Sequence, residues 1–428
     1  MLDRLFKLSE LGTDVKTEVL AGVSTFLTMA YIIAVNPGIL SNAGMDFGAV
    51  FVATCIAAAI GTAIMGFWAN YPVALAPGMG LNAFFTFGVV LGMGNSWQIA
   101  LGCVFWSGII FFLLSVFKVR EWIINAIPTS LKTGISVGIG LFLAIIGLQG
   151  AGVVVDNPAT LVDLGDVTSA NVLLFFAGFI LITALYYRGV VGSVIIGILV
   201  VTVAGFPFGL VEYKGIVSAP PSLSTFGQLD IMGALELGLF AVIFAFLFVD
   251  LFDTSGTLIA VAQKGKLLDS QGKLPRLGKA LMADSTASVA GSVLGTSTTT
   301  SYIESSAGIA AGGRSGLTAV TVSGLFLLAI FFSPLANMIP AYATASALVF
   351  VAVLMVGAIA NVNWQDLTEA APVVLTAIMM PLTYSIADGI AIGFISYALI
   401  KLLAGKGEEV NVSVYVIAAL ALAYFIFT

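Results

Sequence analysis

Long apolar runs separated by short polar joints dominate the chain. Measured against the roughly 20 residues a helix needs to cross a bilayer, they predict spans near 17–35, 47–68, 71–93, 97–117, 131–149, 170–187 and 190–206. A polar, proline-bearing stretch from Phe206 to Asp230 follows, and a second series begins at 231–262, 278–296, 298–312, 315–333, 343–360, 367–384 and 387–404. The pattern thus predicts an all-α polytopic membrane protein of 14 spans. Seven spans per series is an odd number, so the second series starts on the opposite side of the membrane. That is the topology of an inverted repeat, with residues 1–230 and 231–428 as its halves. A faint trace of it survives in Thr25-Phe26-Leu27 of span 1 against Ala245-Phe246-Leu247 of span 8. The last run, 411–427, reads either as an extra span or as an interfacial helix.

Charge gives the orientation. Threaded this way, Arg4, Lys7, Lys16, Lys118, Arg120, Lys132, Arg188, Lys264, Lys266, Lys273, Arg276, Lys279, Arg314, Lys401 and Lys406 fall on one side and Lys214 alone on the other. The positive-inside rule makes the first side, with the N-terminus, cytoplasmic. The loop from Gly150 to Ala170 holds Asp156, Asp163 and Asp166 without Lys or Arg and suits the outside. No cleavable signal is expected, because the N-terminus is amphipathic and the first apolar run lacks a small-residue cleavage site. With 60% hydrophobic and 9% charged residues, a water-soluble fold is excluded. Nucleic-acid binding has no support. Cys55 and Cys103 lie in apolar runs without metal-like spacing, so neither a disulfide framework nor a metal site is expected, and no cofactor motif occurs.

Two spans carry their own interruption. Span 3 contains Ala76-Pro77-Gly78-Met79-Gly80-Leu81-Asn82, where proline and two glycines break a helix. Span 10 contains Thr296-Ser297-Thr298-Thr299-Thr300-Ser301-Tyr302-Ile303-Glu304, a β-branched run that favours extended backbone, ending in a Ser-x-x-Glu capping box. Non-helical backbone at membrane depth must be satisfied by protein or a wet cavity. The two segments are therefore expected to pair as short antiparallel strands, with the half-helices that follow them aiming their N-termini at a shared site.

Acidic residues inside apolar runs mark that site, since ionisable groups at membrane depth are costly and usually functional. Asp250 and Asp253 in span 8 are three residues apart and lie on neighbouring faces of one helix. Such a pair can take up and release a proton as the site opens to either side. The chain has no histidine, so a proton relay must use carboxylates. Asp253 is alternatively a tie between span 8 and a half-helix. Glu304 is the third candidate, Asp284 in span 9 reads as structural, and Glu236 and Asp388 read as solvated span ends.

At these residues the chain resembles the bacterial adenine, guanine and hypoxanthine permeases of the azaguanine-resistance type, a branch of the nucleobase:cation symporters with the uracil-permease fold. The resemblance covers nearly the whole chain and is strongest at Thr25 to Tyr31, Ala76 to Ala83, Leu251 to Leu258, and Tyr302 to Ser305 with Gly312-Gly313-Arg314. It implies a core domain (15–118 plus 231–333), a gate domain (131–206 plus 343–404), a homodimer in the inner membrane surrounded by lipid, and symport of a purine nucleobase with a proton. Family binding positions fall on Asp250, Glu304 and Asn82, with Asp253 as a second acidic position; Gly80, Ser305 and Thr28 come from the same motifs. Purine ring N–H groups suit carboxylate acceptors, and half-helix N–H groups suit purine acceptors. Phe84, Phe248 and Phe252 are candidates to stack on the ring, although aromatic residues at helical spacing more often serve packing.

Other readings stand beside this one. A carrier of uracil or xanthine on the same fold is compatible with the pattern. An anion carrier of this fold would set its substrate against buried carboxylates without an intramembrane Lys or Arg. An enzyme is not expected, because the Ser and Thr run at 296–301 has no basic partner that would activate a nucleophile.

Overall fold

The computed structural model describes residues 2–116, 128–236, 239–265, 267–268 and 274–427. Lys118, Arg120, Lys266 and Lys273 lie outside these residues, as do the side chains of Phe252 and Lys264. Nine helices among the described residues are long and apolar enough to cross a membrane, and four apolar helices are shorter.

In the first half the helices are α1 (Leu2–Phe6), α2 (Val15–Met29), α3 (Ile32–Leu40), α4 (Phe47–Ile64), α5 (Met79–Ala83), α6 (Trp97–Val116), α7 (Thr129–Gly150), α8 (Ala170–Tyr187) and α9 (Ser193–Ala204). In the second they are α10 (Phe240–Gly265), α11 (Leu277–Leu294), α12 (Ser305–Ala310), α13 (Gly316–Ala329), α14 (Ser333–Asn337), α15 (Ala341–Val356), α16 (Leu367–Thr383), α17 (Ile386–Leu403) and α18 (Val412–Phe427). The described residues also form four short strands: β1 (Leu75–Pro77), β2 (Val154–Asn157), β3 (Leu161–Leu164) and β4 (Thr299–Ser301).

The expected strands form. β1 and β4 run antiparallel, with Leu75 opposite Ser301, Ala76 opposite Thr300 and Pro77 opposite Thr299. All six residues are buried. Pro77 has no N–H to offer the ladder, and the next residue supplies one: Gly78 N donates to Thr298 O at 2.9 Å. Thr62 of α4 seals the outer side of β1, its hydroxyl donating to Leu75 O and accepting from Leu75 N. The sheet joins the two halves of the chain at the centre of the protein.

Three expectations change. Span 1 is not one continuous helix: α2 ends at Met29 and α3 starts at Ile32. The 150–170 loop folds into the β2–β3 hairpin, closed by a turn at Asn157, whose side-chain Oδ1 accepts the Ala159 N–H. The Ser301–Glu304 capping box does not form, because Ser301 bonds Asp284 and Glu304 bonds Tyr31.

Helices α2, α4, α6, α10, α11 and α13 pack around the sheet, while α7, α15, α16 and α17 pack with one another and α8 and α9 attach to α15. In the first group a buried carboxylate joins the halves. Glu18, in the first turn of α2, accepts from Arg314 N at 2.8 Å, Thr318 N at 3.2 Å and the Thr318 hydroxyl at 2.6 Å. It thereby satisfies N–H groups that the start of α13 would otherwise leave orphaned. Gly316 sits so close to Gly66 that a Cβ there would lie 1.9 Å from the Gly66 carbonyl oxygen, so only glycine fits. In the second group, Lys401 is buried between Glu369 at 2.6 Å and Glu409 at 2.8 Å, and Lys406 meets Asp366 at 2.7 Å. These pairs fix the ends of α16 and α17 to the segment that leads into α18. Cys55 and Cys103 are buried and free.

Candidate functional site

Both broken spans place a half-helix directly after a strand. After β1, Gly78 in extended conformation leads into α5, which continues with wide π-type turns over Phe84–Gly92, a distortion common at functional sites. After β4, the Tyr302 hydroxyl reaches across to Pro77 O at 2.6 Å, and Ser305 Oγ accepts from Ala74 N at 3.0 Å. The second half-helix is thus tied to the strand of the first half of the chain.

Four carboxylates surround this crossing. Glu304, at the start of α12, accepts the Tyr31 hydroxyl on Oε1 at 2.6 Å. Tyr31 is fully buried at the break between α2 and α3, and this bond gives that break a partner. Asp253 stands beside the start of α5: a Cβ added to Gly78 would lie 3.7 Å from its Oδ2. Thr300 of β4 borders the same glycine, and its hydroxyl lies 2.8 Å from the Thr254 hydroxyl. Thr254 lies 2.8 Å from Asp284 Oδ2, whose Oδ1 receives Ser301 at 3.2 Å. A continuous chain therefore runs Thr300, Thr254, Asp284. Asp250, fully buried on the same helix as Asp253, has Ser288 Oγ at 3.3 Å from Oδ2 and Thr254 Oγ1 at 3.5 Å from Oδ1.

The other sequence candidates fall at the same crossing, with different environments. Asn82 is fully buried in α5, and neither amide atom has a hydrogen-bond partner among the described residues. A buried amide without partners costs free energy unless something bonds it. Gly80 faces α7, where a Cβ would come within 2.6 Å of Ile139 Cγ2. The Thr28 hydroxyl donates to Thr25 O at 2.7 Å and lies 3.4 Å from Glu304 O. Phe84 pairs with Phe246 at 5.0 Å between ring centroids, whereas Phe248 lies between Phe244 at 4.2 Å and Phe394 of α17 at 6.2 Å. Phe248 therefore meets the second group of helices.

Sequence reasoning passed over several members of the site. Tyr31 belongs to the Thr25–Tyr31 motif, but an apolar run conceals it. Asp284, read as structural, shares Thr254 with Asp250 at a separation that no local spacing reveals.

Bundled helices, two broken spans joined by a strand pair, and buried carboxylates at the joint define a membrane permease rather than an enzyme. The chain belongs to the Permease family (Xan_ur_permease), which it matches over residues 16–392. It is 54% identical over 428 residues to the adenine permease AdeP of Escherichia coli (strain K12), covering all of this chain and 96% of that one. It is 50% identical over 435 residues to the guanine/hypoxanthine permease PbuG of Bacillus subtilis (strain 168), covering 99% of each. In fold it is similar to the transmembrane domain of the cyanobacterial bicarbonate transporter BicA, with TM-score 0.66 at 15% identity over 88% of this chain and 96% of that one. SLC26A9 gives TM-score 0.66 at 10% identity over 94% of this chain and 68% of that one.

Proposed function

We propose that the protein is a proton-coupled symporter that imports purine nucleobases by alternating access. In this reading it has 14 spans in two inverted repeats, its basic face and N-terminus are cytoplasmic, and it works as a homodimer. The helices around the β1–β4 sheet form the core, and those around α7 and α16 form the gate. The names of AdeP and PbuG support a purine substrate.

Glu304 and Asp250 supply acceptors for purine ring N–H groups, while Asn82 and the N–H groups of the half-helices answer the ring nitrogens and the exocyclic group. Substrate bonding would satisfy the Asn82 amide. An organic anion is disfavoured, because no Lys or Arg occurs in 71–117, 231–263 or 280–313, the segments that build the site.

The observation that carries the coupling is the gathering of Asp250, Asp253, Asp284 and Glu304 at one crossing whose segments hold no Lys or Arg. Buried carboxylates next to the substrate acceptors can gain a proton on one side of the membrane and release it on the other. The substrate class is tested by uptake of labelled adenine in competition with guanine, hypoxanthine, xanthine and uracil. The purines should compete; competition by uracil alone would overturn the assignment.

A further inference from the structure

Away from the transport site, the turn after α1, the end of the α4 segment and the start of α11 enclose a cavity of about 390 Å³ on the basic face. Lys7, Glu10, Trp68, Asn70, Arg276 and Lys279 line it. Lys7 pairs with Glu10 at 2.9 Å, which leaves Arg276 and Lys279 as uncompensated cations within the lining. Arg276 is held in place. Its backbone takes a left-handed φ of 59°, unusual for a residue with a side chain, and its guanidinium carbon stands 4.7 Å above the centre of the buried Tyr71 ring. Beside the cavity, Trp68 and Phe67 are 44% and 55% exposed at the end of an apolar helix, the position aromatic side chains take at a membrane–water boundary.

We infer that this cavity binds the phosphate head group of an anionic phospholipid from the leaflet on the basic face. Arg276 and Lys279 meet the phosphate, Trp68 lies against the acyl-chain boundary, and Glu10 keeps Lys7 turned toward the cavity. Basic pockets between membrane helices recognise anionic head groups through this combination of fixed cations and adjoining apolar surface. Asn70, which binds Phe6 O and Gly316 N, ties the lining to both α1 and α13, so occupancy would brace the ends of three helices.

The test is thermal unfolding of the full-length protein in detergent supplemented with phosphatidylglycerol, with phosphatidylcholine, or with inorganic phosphate. Phosphatidylglycerol should raise Tm above the phosphatidylcholine value, and inorganic phosphate should not. Arg276→Gln/Lys279→Gln should lose that increment, measured against its own Tm in phosphatidylcholine. Lys279→Gln alone, at an exposed position that leaves the Arg276–Tyr71 stack intact, should lose part of it. An increment of wild-type size in both variants would overturn the assignment, and so would an equal increment from inorganic phosphate, which would make the cavity a free-anion site.

Discussion

The Tyr31 hydroxyl bonds Glu304 Oε1 at 2.6 Å, across 273 residues of chain. One partner marks the break in span 1 and the other starts the half-helix of span 10, so the bond fixes the direction in which Glu304 offers its second oxygen. Hydrogen bonds to charged groups contribute about 1.5–3 kcal/mol. Tyr31→Phe should therefore weaken purine binding by roughly one to two orders of magnitude, measured by calorimetry on purified protein. Unchanged affinity would leave Tyr31 a space-filling residue.

Glu304→Ala should abolish purine binding, and Glu304→Gln should keep part of it, because glutamine retains an acceptor but cannot ionise. Stabilisation by ligand in a thermal shift assay reports binding apart from transport. Wild-type affinity in Glu304→Ala would remove the residue from the site.

The two acidic positions of α10 should separate. Asp250→Ala should lose substrate binding. Asp253→Asn should bind purine yet fail to concentrate it, since asparagine keeps the size and hydrogen-bonding capacity of the side chain but cannot carry a proton. Concentrative uptake at full rate by Asp253→Asn would leave that residue a structural tie to α5.

Gly80 lets α5 approach α7, and a methyl group there would come within 2.6 Å of Ile139 Cγ2. Gly80→Ala should slow transport severely. Gly80→Ala/Ile139→Ala removes the opposing methyl and should recover much of the rate. No recovery in the double variant would mean that Gly80 acts through the ligand rather than through the helix contact.

Hydropathy alone located the nine long apolar helices found among the described residues, because membrane-buried segments must be both apolar and long enough to span. The strand pair was also legible: Pro77 with its glycines and the Thr299–Ser301 run each disfavour a helix, and two such segments at matching positions need each other. What stayed hidden depends on distant partners. The Ala30–Tyr31 interruption falls inside an apolar run and is accompanied by Glu304, which no local pattern foretells. The Ser301–Glu304 capping box failed for the same reason, as each side chain has a tertiary partner that competes with the local cap. Asp284 reads as structural from its place near the end of span 9, and its contact with Thr254 depends on the packing of two distant helices.

Coupling to protons is the central claim, and accumulation of labelled adenine by proteoliposomes measures it most directly. With an imposed inward proton gradient and no sodium, adenine should concentrate inside the vesicles, and an uncoupler should collapse the gradient of substrate. Accumulation driven by a sodium gradient at constant pH, with no response to the uncoupler, would contradict it.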